Sequence, residues 1–317
     1  MEETREMVKV WPRKDISRET YMTRVTGKRG AGRAYELEGA LTTYPSVTHI
    51  LSYTNVKHAL PQWYAKKVAE KAGELLNWNR DANNEVLYPE DVAEFVKEIK
   101  SAPSEEFKHA GKVGVEAHDL INKAIRYKMD NPYTTWEEVG NEIIKDYSES
   151  LPWPEAHRAF ENWIAFIIAN YPDIVFLETE FATYIDGHVV SPDHGGTINI
   201  PLYAGTVDAV GLTRHQKLVV FDWKTGSGIY DEAGYQVAAY CNSIWNGNKQ
   251  LSEIYGDISG AIVRLSKTDE EFEVKTITDS ERPSVVFNTM CSLYTQLTYP
   301  VFDKKAKMPR KKKVSNG

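Results

Sequence analysis

The chain is 317 residues long, with a formal net charge of -7, 42% hydrophobic and 26% charged residues. That is enough apolar material for a substantial core and excludes a chain disordered throughout. The acidic balance argues against a passive nucleic-acid coat, which is ordinarily basic, but not against an enzyme that holds cations between carboxylates. Two cysteines, Cys241 and Cys291, form no close pair, so neither a structural zinc site nor a disulfide scaffold is expected. The start MEETREMVKV is charged and lacks the apolar stretch of a signal peptide. The apolar run around Trp163 to Ile168 is too short to span a bilayer, so an intracellular protein without membrane association is expected.

Residues 1–44 read as a polar segment. Within it, GKRGAG at 27–32 reads as a basic glycine-rich loop and fits no P-loop, because no Gly-Lys-Ser/Thr ending follows. Residues 45–171 read as mostly helical. PSVTHIL opens this region, with Ser46 or Thr48 as cap and Val47, Ile50 and Leu51 turned inward. PQWYAKKVAEKAGELLNW follows, then YPEDVAEFVKEIK after a proline break. KHAGKVGVEAHDLINKAIRY predicts another helix over about 110–127, with Val115, His118, Ile121 and Ile125 on or near one face. TWEEVGNEIIKDY and PEAHRAFENWIAFIIANY complete the helical half.

The pattern changes at Pro172. IVFLETEFATYI, YAGTVDAVGL and KLVVFDWKT predict three strands, with the polar stretch DGHVVSPDHGG between the first two. DEAGYQVAAYCNSIW predicts a helix, GDISGAIVRLS and EFEVKTIT two further strands, and SERPSVVFNTMCSLYTQLTY a closing helix. This order predicts an α/β core over 172–302 behind the helical region. Residues 303–317 form a basic tail, with seven basic residues between Lys304 and Lys313. It suits DNA-backbone contact, a nuclear address or a solubilising tail.

The chemistry concentrates in GTVDAVGLTRHQKLVVFDWKTG, residues 205–226. Asp222 and Lys224 are two apart on a strand and so face one cleft. A hairpin would bring Asp208 beside them. Two carboxylates supply hard oxygen ligands for Mg²⁺ or Mn²⁺, and such an ion polarises a phosphodiester and acidifies water. Asp-x-Lys alone is an ordinary surface ion pair; the apolar strands and the second aspartate lift it above that.

These residues resemble the PD-(D/E)xK nuclease superfamily, in its RecB-like and Cas4-like exonuclease branch. GTVD at 205–208 is similar to the family's Gly-x-x-Asp, and DWKTG at 222–226 to its Asp-Tyr-Lys-Thr-Gly, with Trp223 in place of the common tyrosine. GYQVAAY at 234–240 resembles a Gln-x-x-x-Tyr motif, and PSVTHIL a leader of phage and mitochondrial genome-maintenance members. The resemblance implies a restriction-endonuclease-like core, a mixed central sheet flanked by helices. It implies His118, Glu180, Asp208, Asp222 and Trp223 as metal-site residues for one or two Mg²⁺ or Mn²⁺ ions. Lys224, Gln236 and Tyr240 would act beside them. Glu178 and Glu180 share a strand face, so alternation cannot separate them; the family pattern favours Glu180, with Glu178 as its substitute or a contact to a second ion. Two cysteines cannot build the iron–sulfur cluster that some members carry.

The resulting expectation is a metal-dependent deoxyribonuclease, an exonuclease on single-stranded or free DNA ends in replication, recombination or repair, working with proteins of those processes. A structure-selective endonuclease and a non-catalytic DNA-binding recombination module are the alternatives. Trp63, Tyr64 and Trp78 are candidates for base stacking.

Overall fold

A computed structural model describes residues 4–11, 19–26, 33–38, 43–54, 59–82, 89–147, 153–190, 197–247, 254–255, 258–277 and 281–298. The GKRGAG run and the basic tail lie outside these residues, as does the side chain of Trp78.

The chain begins with four strands, β1 (Thr4–Lys9), β2 (Tyr21–Thr26), β3 (Arg33–Leu37) and β4 (Thr43–Pro45). Five helices follow: α1 (Val47–Thr54), α2 (Ala59–Ala82), α3 (Pro89–Asp130), α4 (Trp136–Tyr147) and α5 (Pro154–Asn170). Then come β5 (Val175–Val190), β6 (Thr197–Leu212), β7 (Leu218–Lys224), α6 (Asp231–Gly247), β8 (Ser259–Leu265), β9 (Phe272–Ile277) and α7 (Glu281–Thr298). From Pro172 onward the strand and helix order is the expected one. DGHVVSPDHGG differs in part: its first residues extend β5 to Val190, so β5 and β6 form a long hairpin of 16-residue arms.

The central sheet has the order β5-β6-β7-β8-β9. It is antiparallel except between β7 and β8, which run parallel and are joined through α6. A parallel pair needs such a crossover, because a tight turn cannot reverse the chain direction twice. Helices cover both faces. Val219, Phe221 and Trp223 of β7 join the core under α3, α4 and α5, whereas Leu218 and Val220 join the core under α1, α6 and α7. Strict alternation within one buried strand therefore feeds two cores. Trp223 stacks on Phe221 with centroids 5.0 Å apart and meets Trp163 edge-on at 5.9 Å. Each such buried aromatic contributes roughly 1.5–3 kcal/mol.

Residues 1–44 are the main departure from expectation. β1 to β4 form an antiparallel meander whose inner face carries Val8, Met22, Tyr35 and Tyr44. These side chains pack on Ala182, Tyr184 and Ala204 of the β5–β6 hairpin. Bridges from Val10 to Ala182 and from Ser46 to Ala204 tie the two sheets together. The strands read as polar because each buries few side chains and its other face is wet, so the apolar signal is a single residue deep.

The helical region also differs. The two helices expected over YPEDVAEFVKEIK and KHAGKVGVEAHDLINKAIRY are one 42-residue helix that continues through Pro103. Its buried stripe is Val113, Ala117, Leu120, Ile121, Ala124 and Ile125. Val115 is not part of it; two residues on from Val113 turns about 200° around a helix, and Val115 is exposed. Of the two expected caps, Ser46 is the one that caps α1, its Oγ accepting the His49 amide at 3.0 Å, and Val47, Ile50 and Leu51 are buried as expected. A reciprocal cap between Thr135 and Glu138 starts α4. Among the described residues no helix is long and apolar enough to cross a membrane.

Candidate metal centre

The β6–β7 ladder ends at the pair Ala209 and Phe221. Asp208 and Asp222 are the next residues beyond it, where the strands part. The Asp208 carboxylate takes over the backbone pairing, its Oδ2 accepting the Trp223 amide at 2.7 Å. On the other side of β6, the pairs Thr179–Ala209 and Phe181–Val207 place Glu180 opposite Asp208. Helix α3 supplies His118, whose Nδ1 lies 3.5 Å from Asp208 Oδ1. One potential ligand atom from each of His118, Glu180 and Asp208 falls within 4.8 Å of the others.

Glu180 holds a positive φ of 49°, one of two non-glycine residues to do so among those described. For an L-residue this costs on the order of 1–3 kcal/mol, and such strain collects at functional sites. It also breaks the alternation that made Glu178 and Glu180 equivalent. Glu178 meets Lys9 Nζ at 3.4 Å elsewhere on the cleft wall, while Glu180 joins His118 and Asp208.

Asp222 is almost completely buried, with Lys224 Nζ 2.6 Å from its Oδ2. Lys224 donates to Gln236 Oε1 at 3.3 Å, and Gln236 Nε2 donates to the Tyr240 hydroxyl at 2.9 Å. The spacing of four on α6 thus delivers a relay that holds the lysine from behind. Gly205 makes this possible: a Cβ there would meet Tyr240 Cε1 at 2.5 Å. The glycine of Gly-x-x-Asp is a packing requirement of the tyrosine. The Trp223 indole is buried in the core on the α3–α5 side, and its N–H offers a cation no lone pair, so any part Trp223 has at a metal runs through its backbone. Only its backbone reaches the cluster, through the amide that Asp208 accepts.

The charges are strongly interdependent. Burial opposes the His118 imidazolium, but the Asp208 carboxylate beside it wins and lifts the pKa to about 9. The neutral imidazole expected of a ligand is therefore not the state of the metal-free site. Burial raises Asp208 too, yet His118 and Lys224 hold it below the usual carboxylate range. Glu180 is pushed up to about 7 by burial and by Asp208. Asp222 is pushed up to about 6, chiefly by burial, with Asp208 adding to it against the pull of Lys224. Burial lowers Lys224, but Asp222 and Asp208 more than offset it, so its pKa is raised and it remains charged.

The cluster lines a cleft of about 850 Å³ between α3, the β5–β7 strands and the N-terminal sheet. Lys9, Arg24 and Arg33 reach it from that sheet. The sequence reading missed them. The usable signal was Arg24 two residues after Met22, a charged residue on the inward face of a strand.

No protein-family model matches this chain, and no curated protein does. Among solved structures, the crystal structure of SSO0001 is similar at 17% identity with a TM-score of 0.26, covering 59% of this chain and 77% of that one. A likeness of that degree assigns neither fold family nor activity.

Proposed function

We propose that this protein is a divalent-metal-dependent nuclease that hydrolyses DNA phosphodiester bonds on a restriction-endonuclease-like, PD-(D/E)xK core. One observation carries the reading: His118, Glu180 and Asp208 converge from a helix and two strands on one point, beside the buried Asp222–Lys224 pair. The donor set fits the ion. Carboxylate oxygens and one imidazole suit Mg²⁺ or Mn²⁺. Burial raises the pKa of both Glu180 and Asp222, with Asp208 adding to it, and a divalent ion among them would stabilise their charged forms. His118, Glu180, Asp208 and Asp222 are the residues that would hold it. Bound there, it would supply Lewis acidity toward a phosphodiester oxygen and lower the pKa of water.

The chain's own groups do the rest. Lys224, held charged by Asp222 and steered by Gln236, stabilises negative charge that builds up at the phosphate. Service as a general base would require the neutral amine, which the neighbouring carboxylates oppose. Tyr240 braces Gln236, and Asp208 orients His118. The substrate would be DNA with a single-stranded or free end, and the physiological setting replication, recombination or repair. Labelled linear and circular single-stranded DNA, with Mg²⁺, Mn²⁺ or EDTA, tests this directly. Metal-dependent loss of the linear form alone is the expected result. Cutting of circles would make the protein an endonuclease, and no cleavage with any ion would refute the proposal.

A further inference from the structure

The N-terminal sheet places an arginine over the cleft. Arg24 lies on the inner face of β2, in line with Met22, and pairs in register with Glu6 on β1 and Tyr35 on β3. Its side chain is 22% exposed, well covered for a guanidinium. Arg24 Nη1 donates toward Thr206 Oγ1 at 3.5 Å, and the Tyr35 hydroxyl shares that oxygen at 2.8 Å. Thr206 is two residues before Asp208 on β6, so the contact fixes the arginine next to the carboxylate cluster. The other partner of Arg24 is Glu6, whose side chain is 61% exposed. Lys9 repeats the arrangement further along the wall, its ammonium 3.0 Å from Glu19, a side chain 67% exposed. Lys9 differs in having a second partner, the well-covered Glu178 at 3.4 Å, whereas the carboxylate on Arg24 is the exposed Glu6.

We propose that Arg24 is a positioning residue that clamps a backbone phosphate of the bound strand beside the carboxylate cluster, with Glu6 as the internal anion that the phosphate displaces. The inference rests on the nuclease reading. A planar guanidinium offers the paired donors that a phosphate accepts, and Thr206 holds it from one side while its outer edge stays available. Glu6 is the group that must yield, since a carboxylate on a wet strand regains its hydration at little cost. An acidic cluster repels a polyanion, so a cation on the opposite wall is needed to hold the strand in register. Arg24 would touch a phosphate of the strand, not the reacting group, and should therefore govern binding more than turnover.

The test is binding of a labelled oligothymidylate to the full chain in Ca²⁺ across a salt series, alongside cleavage in Mn²⁺. Arg24→Ala should bind about tenfold more weakly, the scale of one charge-assisted hydrogen bond. Its slope of log affinity against log salt should be shallower by about one. It should raise KM with little change in kcat and keep normal Mn²⁺ affinity. Arg24→Lys should recover the salt slope, because the charge remains, and Glu6→Gln should bind more tightly than the wild type. Unchanged affinity and slope in Arg24→Ala, with the wild type still cleaving, would overturn the clamp and leave the nuclease reading standing. Loss of Mn²⁺ affinity in Arg24→Ala, or a salt slope not recovered by Arg24→Lys, would also overturn it in favour of a structural role. A wild type that neither binds nor cleaves would remove both.

Discussion

Strands β7 and β2 both point charged residues at the same cleft, but they do so from opposite surroundings. β7 buries six consecutive residues, Leu218 to Trp223, so Asp222 stands in an apolar strand as a costly exception. β2 buries one residue, Met22, and Arg24 is a half-buried residue on a strand whose other residues are half-buried or exposed. Chemistry on a buried strand announces itself because burial makes every polar group expensive. On a half-wet sheet the same kind of residue costs little and leaves only a weak signal, here the spacing of two from Met22 to Arg24. The comparison also divides the labour: β5, β6 and β7 carry the buried carboxylates with Lys224 among them, and the N-terminal sheet adds Lys9, Arg24 and Arg33.

The largest effect should come from the buried side. Asp208→Asn removes a carboxylate that faces His118, Glu180 and the Trp223 amide together, and cleavage should fall by about a thousandfold, the upper range for losing one preorganised electrostatic group. Calorimetry should show Mn²⁺ binding lost. In the metal-free variant, NMR titration should find the His118 pKa well below about 9, because the charge that raises it has gone. A His118 pKa that stayed near 9 would break the proposed coupling.

Lys224→Ala should slow single-turnover cleavage about a hundredfold while Mn²⁺ and single-stranded DNA still bind. Near wild-type rates would take the lysine out of the chemistry. Lys224→Arg retains the charge but not the reach to both Asp222 and Gln236, and should restore only part of the rate.

The ionisation of the cluster predicts how metal binding responds to pH. Without metal, His118, Glu180 and Asp222 titrate at about 9, 7 and 6. A cation must displace whatever protons they hold, so Mn²⁺ affinity should rise from pH 6 toward 9 and level off above it. Flat affinity over that range would mean that these groups do not bind the ion.

The smallest expected effect tests packing alone. Gly205→Ala drives a methyl into Tyr240, an overpacking that typically costs about 1–3 kcal/mol. Denaturant melts should show that loss, and the displaced Tyr240 should loosen Gln236 and slow cleavage modestly. A fully stable Gly205→Ala would mean that β6 and α6 are not packed so closely.

What the sequence determined by itself was local. Alternation along KLVVFDWKT put Asp222 and Lys224 on one face, the cap of α1 was narrowed to Ser46 or Thr48, and the element order from Pro172 onward followed from composition and period. These depend on neighbours a few residues away, which a sequence displays. The meeting of distant residues was decided by tertiary structure. Register across β5 and β6 set Glu180 against Asp208, and a left-handed backbone at Glu180 separated it from Glu178. Core packing of the stripe from Val113 to Ile125 held the His118 segment of α3 against the sheet. Strand alternation aimed the Trp223 indole into the core once both faces of β7 were covered, and a meander of weak apolar signal brought Arg24 to the cleft. Such contacts join residues that are tens to hundreds of positions apart, and they are fixed by sheet register and core packing, for which no local pattern in the chain is a substitute.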